Sequence, residues 1–191
     1  FFAGKVGKKV GSPAITLFDD PLLENGFNST SFDAEGTKTY RKPIVEKGVF
    51  KTVLHNYSTA KKRGLATTGS AGLIAPNYFN LVLEKGSNSL DELVSQVDNG
   101  LLVTNLWYTR FNNYSSGEFS TMPRDALFLI KNGEIEKPVK GIRISENMIN
   151  LMQNASAVGS DSQQVYSWEA PTSVITPSVL FENVNITKPT K

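Results

Sequence analysis

The side chains that could bind a metal or activate a nucleophile are few in this chain of 191 residues. It contains one histidine, His55, and no cysteine. Zinc hydrolysis needs at least three ligands from His, Cys, Asp and Glu, usually with two of them on one helix face. We therefore expect that no zinc site of the usual kind is built from these residues alone, and we assign no catalytic and no metal-binding residue.

Two pairs of carboxylates are candidates for a magnesium or calcium site. Asp19 with Asp20, and Asp33 with Glu35, supply the oxygen ligands that these hard cations prefer. Neither spacing matches a known calcium loop, and acidic residues are also frequent in turns. We interpret both pairs as turn-forming acids.

A serine hydrolase would need His55 as its general base, beside a serine and an orienting acid. Ser58 follows closely, but no G-x-S-x-G sequence accompanies it, and the chain has neither of the two common glycine-rich phosphate-binding motifs. We expect His55 to end a strand and to cap or pack against the short helix that follows.

The segment from Trp107 to Tyr114 is aromatic, polar and flexible in composition. Aromatic side chains supply a large contact area at a small entropic cost, as they do in binding surfaces. Two interpretations stay open, namely a binding surface and a loop that packs its aromatic side chains onto the core. The candidates for peptide or partner binding are Trp107, Tyr108, Phe111 and Tyr114.

The composition is that of an ordinary globular domain, with 39% hydrophobic residues, 20% charged residues and a formal net charge of +2. Direct binding to nucleic acid is not expected, because neutralising phosphates needs a concentrated basic face. No apolar run approaches the roughly 20 residues that span a bilayer, so we expect a soluble protein with no membrane partner. The lack of cysteine fits a reducing cytoplasm.

The organisation of the chain predicts one β-rich domain over residues 1–191, since neither an internal repeat nor a low-complexity linker interrupts it. The chain begins at Phe1 rather than at methionine, which suggests a fragment whose N-terminal part has been removed.

Three stretches have helical periodicity: Leu90 to Val97, Glu146 to about Ala155, and Ser58 to Arg63. The first is the clearest, because its apolar residues recur at i, i+3, i+4 and i+7. Ser89 and Glu92 have the spacing of a capping box, and the Asn-Gly pair after the helix is expected to stop it.

Most other segments predict antiparallel strands. Asn132-Gly133 between two β-type runs is a strong signal for a type I′ hairpin, and Lys47-Gly48 predicts a second. Further strands are predicted at Ile15 to Phe18, Tyr78 to Leu83, Leu101 to Trp107 and Val179 to Phe181. The predicted fold class is mainly β (α+β), with antiparallel sheets forming a sandwich or a partly open barrel and two or three short helices.

A series of short motifs follows in a fixed order along the chain. They are Phe32-Asp33-Ala34-Glu35-Gly36, Gly48 to Leu54, Tyr57 to Gly64, Thr68-Gly69, Gly100 to Thr104, Ser116 to Ser120, Leu129 to Ile135 with Pro138-Val139, Val158 to Asp161, and Thr176 to Ser178. In this order they resemble the C-terminal half of the TldD/PmbA family, whose members form a zinc peptidase and were once described as modulators of DNA gyrase.

The resemblance implies that this chain is the C-terminal domain of a longer protein. In the family, the TldD type carries an H-E-x-x-x-H helix upstream and a cysteine ligand near its C-terminus, whereas the PmbA/TldE type lacks the metal helix. No cysteine follows Val158-Gly159 here, so the resemblance implies the PmbA/TldE-like subunit, inactive alone and without a cofactor of its own.

The same resemblance implies a zinc-bearing TldD-type partner, extended substrates that are unfolded or leader peptides, and the option of a homodimer. Two alternatives remain, a binding or scaffold protein like a gyrase modulator, and the C-terminal domain of the catalytic TldD-type subunit itself. An independent hydrolase is disfavoured by the missing metal ligands and the missing nucleophile–base pair.

Overall fold

β-strands make up most of the regular structure in the computed structural model, which describes residues 1–188. Strands account for 40% of the residues and helices for 10%, which confirms the predicted mainly β class. No helix in this range is both long and apolar enough to cross a membrane. The elements, in chain order, are β1 (Leu17–Asp19), β2 (Lys42–Glu46), β3 (Val49–Phe50), α1 (Tyr57–Lys62), β4 (Asn80–Leu83), α2 (Leu90–Ser95), β5 (Asn99–Asn113), β6 (Glu118–Lys131), β7 (Glu134–Pro138), β8 (Arg143–Asn147), α3 (Met148–Gln153), β9 (Ala155–Val158), β10 (Gln163–Val165), β11 (Ser173–Thr176), β12 (Val179–Phe181) and β13 (Ile186–Thr187).

The strands are arranged in three sheets. A six-stranded sheet has the order β10-β11-β4-β1-β2-β3, and a five-stranded sheet has the order β13-β8-β6-β5, with β7 also paired to β6. Strands β12 and β9 form a separate ladder. All of these pairs are antiparallel except β11 with β4, which run parallel.

Both predicted hairpins are confirmed. Asn132 and Gly133 have φ values of 48° and 79°, and Lys47 and Gly48 have values of 46° and 77°. Positive φ at both central residues is the signature of a type I′ turn. Strand β3, the second strand of the Lys47-Gly48 hairpin, has only two residues before the chain runs on to α1.

The helix after Ser89 is confirmed together with its capping box. The Ser89 N–H donates to the Glu92 carboxylate at 2.7 Å, and the Glu92 N–H donates to the Ser89 hydroxyl at 3.2 Å. The predicted stop is wrong, because α2 already ends at the C-cap Gln96, whose N–H bonds two preceding carbonyls. The Asn-Gly pair that was expected to end the helix instead begins β5.

The predicted helix from Glu146 to Ala155 is shortened at both ends. Asn147 caps α3, accepting hydrogen bonds from the N–H groups of Ile149 and Asn150. Glu146 belongs to β8, which pairs with β6, and Ala155 begins β9, which pairs with β12. Sheet pairing has therefore overridden helical periodicity at these positions, as tertiary context often does.

The main core lies between the six-stranded sheet and the segment that carries α3 and β9. Its buried residues come from the N-terminal loop, β2, β3 and β9, and partly buried Met152 of α3 packs against them. They are Val10, Ile15, Val45, Phe50, Ala155 and Val158. At the end of β9, the Ser178 hydroxyl and N–H donate to the Asp161 carboxylate and lower its pKa, which ties β9 to the start of β12.

Candidate binding site on the β5–β6 ribbon

The single histidine is part of the local structure beside α1. His55 is 4% exposed, and its Nδ1 lies 3.2 Å from the Thr59 hydroxyl. Its backbone N–H donates to the Thr68 hydroxyl at 2.7 Å. The expectation that it packs against the helix is confirmed, but it does not end a strand, because β3 stops at Phe50.

The candidate carboxylates are also held by structural partners. Asp33 accepts the N–H groups of Glu35 and Thr37 at 3.0 and 2.9 Å, as a turn-forming acid does, and its other oxygen accepts the Ala71 N–H. Within residues 1–188, no group of three or more His, Cys, Asp or Glu side chains could hold a metal ion. The donor set does not fit the zinc that the resemblance implies for the family.

The stretch from Trp107, for which a binding surface and a core-packing loop both stayed open, is part of a long ribbon. Residues 107–113 belong to β5, which has 15 residues and pairs with the 14 residues of β6. Within the described part of the chain β5 pairs with β6 alone, so its other edge has no strand beside it. Cross-strand partners such as Trp107 with Met122 and Phe111 with Phe119 supply the pairing that the composition did not reveal.

The ribbon is irregular at its centre. The register shifts between Trp107 and Arg110, and Tyr108 in that interval has a φ of 61°. A left-handed backbone is uncommon for an aromatic residue, and such strained positions concentrate at functional sites. The bulge makes this part of the ribbon a candidate site.

Two aromatic and two cationic side chains of the ribbon form one group with the side chain of a tryptophan in the β10–β11 loop. We call this set the Trp107 cluster. Its members are Trp107, Tyr108 and Arg110 of β5, Arg124 of β6, and Trp168 of the loop. The two tryptophan rings are 5.0 Å apart in an edge-to-face arrangement. Arg124 lies over the Trp107 ring at 4.2 Å, and Arg110 lies over the Tyr108 ring at 4.2 Å. Because Tyr108 and Trp168 are 52% and 56% exposed, the cluster offers a surface of the residue types that dominate binding hot spots.

The other two candidates lie in a different group of rings. Phe111 stacks on Phe1 at 5.5 Å and on Tyr114 at 5.2 Å, and it also contacts Phe119, which is 3% exposed. Tyr114 is 74% exposed. The structure thus divides the four candidates, with Trp107 and Tyr108 in one group, and Phe111 and Tyr114 in another. Their role in binding stays a prediction.

The loop between β10 and β11 also places a carboxylate against the edge of β5. Glu169 accepts the Thr109 N–H at 3.1 Å and the Arg110 guanidinium at 3.3 Å. Sequence reasoning missed Trp168 and Glu169, because 60 residues separate Glu169 from Thr109 and no local pattern links them. The one available signal was a second tryptophan within a polar segment.

An apolar cavity of about 450 Å³ lies near the other end of β5. Side chains of α2, of the first residues of β5 and of β12 line it, among them Leu93, Leu101 and Leu180. The sequence indicated the apolar face of α2, whereas the cavity also depends on how distant strands pack.

Comparison with known proteins gives a consistent result. Residues 1–188 match the PmbA/TldA metallopeptidase C-terminal domain. A metalloprotease of Methanothermobacter thermautotrophicus is 34% identical over 165 residues, covering 83% of this chain and 35% of that protein. A putative modulator of a DNA gyrase from Thermotoga maritima superposes with a TM-score of 0.88 at 36% identity, covering 97% of this chain and 42% of that one. TldE from Thermococcus kodakarensis superposes with a TM-score of 0.87 at 31% identity, again covering 97% and 42%. The chain spans about two-fifths of the length of these proteins.

Proposed function

The chain belongs to the PmbA/TldD metallopeptidase family, and from this membership we propose that it is the C-terminal domain of a PmbA/TldE-like subunit in a TldD-type metallopeptidase complex. In this role it contributes a binding surface for unfolded or leader peptides. A TldD-type partner supplies the zinc and the cleavage. The subunit alone is inactive.

The observation that carries the proposal is the set of metal donors. The only histidine is buried beside Thr59, the chain has no cysteine, and residues 1–188 contain no group of three potential ligands. A peptidase zinc site needs three protein ligands and an open position. The cysteine that the resemblance assigns to the TldD type has no counterpart here, which supports the subunit without the metal.

The free edge of β5 supports a role in holding peptides. An extended peptide can add to an exposed sheet edge through backbone hydrogen bonds, without a demanding sequence requirement. The Trp107 cluster stands along this edge and adds contact area to the backbone pairing. These two features together suit an unfolded substrate whose sequence varies.

The two groups of aromatic residues contribute differently in this proposal. Trp107 and Tyr108 belong to a half-exposed surface, so their truncation weakens binding. Phe111 packs against buried Phe119, so its truncation acts mainly through folding. Tyr114 projects at the end of the ribbon and is the candidate for contact with the partner subunit.

The proposal is tested by mixing the full-length protein with a TldD-type partner and following cleavage of a labelled disordered peptide. We expect no cleavage by this protein alone and restored or enhanced cleavage in the mixture. Trp107→Ala should weaken assembly or peptide capture by about thirtyfold, since a buried aromatic anchor typically contributes about 2 kcal/mol or more. Tyr57→Ala, which truncates an exposed aromatic residue of α1, is the matched control.

Cleavage by this protein without a partner would overturn the subunit role. If Trp107→Ala assembled with the partner and supported peptide cleavage as well as wild type does, the Trp107 cluster would not be part of the binding surface. The similarity to a protein described as a gyrase modulator supports a scaffold function as the alternative. That alternative predicts binding without any gain in cleavage, and light scattering on the same samples also distinguishes a heterodimer from a homodimer.

A further inference from the structure

We propose that Thr109 and Arg110 form a binding site for the C-terminal carboxylate of an extended peptide, and that Glu169 of the chain itself fills this site when no peptide is bound. The inference rests on the proposed function in one respect, that the ligand is a peptide. It adds a defined anchoring point and a carboxylate that competes for that point.

The geometry around Glu169 is that of a carboxylate site. One of its oxygens accepts the Thr109 backbone N–H at 3.1 Å, and the other lies 3.3 Å from the Arg110 guanidinium. A backbone N–H together with a guanidinium is a strong arrangement for holding an anionic carboxylate. The site is therefore already complete and contains a carboxylate as its occupant.

The positive group is held in place before any ligand arrives. The Arg110 guanidinium donates to the Thr109 carbonyl at 2.7 Å and lies over the Tyr108 ring at 4.2 Å. The centroid of the Trp168 ring lies 5.6 Å from the guanidinium carbon of Arg110. The left-handed backbone of Tyr108 directly precedes Thr109, which is the residue whose N–H faces away from β6 toward Glu169.

The bond to Glu169 is suited to replacement. The Arg110 side chain is 48% exposed and the Glu169 side chain 19%, so solvent reaches the ion pair from the side of the guanidinium and screens it. Glu169 lies in a turn closed by reciprocal backbone hydrogen bonds between Ser167 and Ala170, outside the β10–β11 ladder. The carboxylate can therefore leave Thr109 while the sheet stays intact.

The edge of β5 is open on only one side of Thr109. Toward the start of the strand, residues 104–106 are exposed, and no strand within residues 1–188 pairs with them except β6. Toward its end, Phe1 stacks on Phe111 and its nitrogen donates to the Tyr114 carbonyl at 2.8 Å. A peptide strand that pairs with this edge therefore ends at Thr109. If the peptide runs parallel to β5, its terminal carboxylate lies at Thr109. This arrangement favours the end of a peptide chain over an acidic side chain as the ligand.

The chain offers a direct spectroscopic readout of this site. Its two tryptophans are Trp107 and Trp168, and both belong to the Trp107 cluster. Within this chain, intrinsic tryptophan fluorescence therefore comes from the Trp107 cluster alone. Fluorescence anisotropy of a peptide labelled at its N-terminus gives an independent measure of binding.

The test titrates the protein with one disordered peptide in three forms. The first has a free C-terminal carboxylate, the second has a C-terminal amide, and the third is also amidated but carries an added aspartate as its last residue. We expect Glu169→Gln to bind the free-carboxylate form about tenfold more tightly than wild type does. In this variant the amide should bind about tenfold more weakly than the free carboxylate, a ratio that corresponds to 1.4 kcal/mol. The aspartate form should behave like the amide.

Glu118→Gln is the matched control, because it removes an exposed carboxylate of the same ribbon, at the first residue of β6 and outside the Trp107 cluster. Arg110→Gln provides a second, independent test and should abolish the preference for the free carboxylate.

Equal binding of acid and amide by Glu169→Gln would overturn the carboxylate site and leave peptide binding standing. Preference for the aspartate form would assign the site to acidic side chains and overturn the chain-end proposal. No binding of any form to any variant would overturn both this inference and the proposed peptide role.

Discussion

Lys42 shows what a single residue contributes to this fold. Its Nζ lies 3.0 Å from the Asp19 carboxylate, and the two side chains are 2% and 0% exposed. The second Asp19 oxygen accepts the Phe79 N–H at 2.8 Å, so the pair links β2 and β1 to the residue before β4. A charge in such a position is tolerated only because its partner is present.

We expect Lys42→Ala to lower the free energy of unfolding by about 3–5 kcal/mol, because it leaves a buried carboxylate unpaired. Lys51→Ala is the control, since its ion pair with Glu46 at 3.1 Å is about half exposed and should contribute at most about 1 kcal/mol. Urea unfolding of both variants gives the comparison. Similar losses for the two would show that the buried pair is not the stronger interaction.

At the scale of residues, the set of potential metal ligands could be judged from the sequence, but the Trp107 cluster could not. Counting histidine and cysteine is independent of the fold. By contrast, the Trp107 cluster depends on a contact between Trp107 and Trp168, from segments far apart in sequence. Composition marked Trp107 and Tyr108, but only the tertiary structure separates them from Phe111.

At the scale of elements, α2 allows its cap and its packing to be tested separately. Leu93 is 4% exposed, whereas Ser89 contributes through the capping box. Leu93→Ala should cost about 2–5 kcal/mol of stability, and Ser89→Ala only about 1 kcal/mol. Thermal or urea unfolding measures both, and negligible effects from the two variants would mean that α2 is not docked on the sheets.

The elements that the sequence predicted well are those with local causes. The hairpin at Asn132-Gly133 needs only two residues that tolerate positive φ, and the start of α2 needs only Ser89 and Glu92. The ends of α3 were predicted wrongly because β8 and β9 pair with distant strands. The residues of β5 for which a core-packing loop stayed open form a strand for the same reason, since β6 supplies their partners.

At the scale of the whole molecule, the chain is a family domain in which residues 1–188 contain no group of three potential metal ligands. The order of short motifs along the sequence sufficed to indicate the family, because it samples the whole chain rather than one contact. The proposed division of labour between subunits also involves residues outside this chain, which spans about two-fifths of the length of its relatives. The proposed role therefore depends on the metal content of the complete subunit.

The zinc content of the full-length, untagged protein tests this central claim most directly. Elemental analysis after purification should find no stoichiometric zinc, because this domain offers one buried histidine and no cysteine and the proposed PmbA/TldE-like subunit carries no metal helix upstream. His55→Asn, measured in parallel, should leave the zinc content unchanged. Roughly one tightly held zinc per chain would contradict the account: if His55→Asn lost it, the site would lie in this domain, and if the variant kept it, the protein would be the metal-bearing subunit.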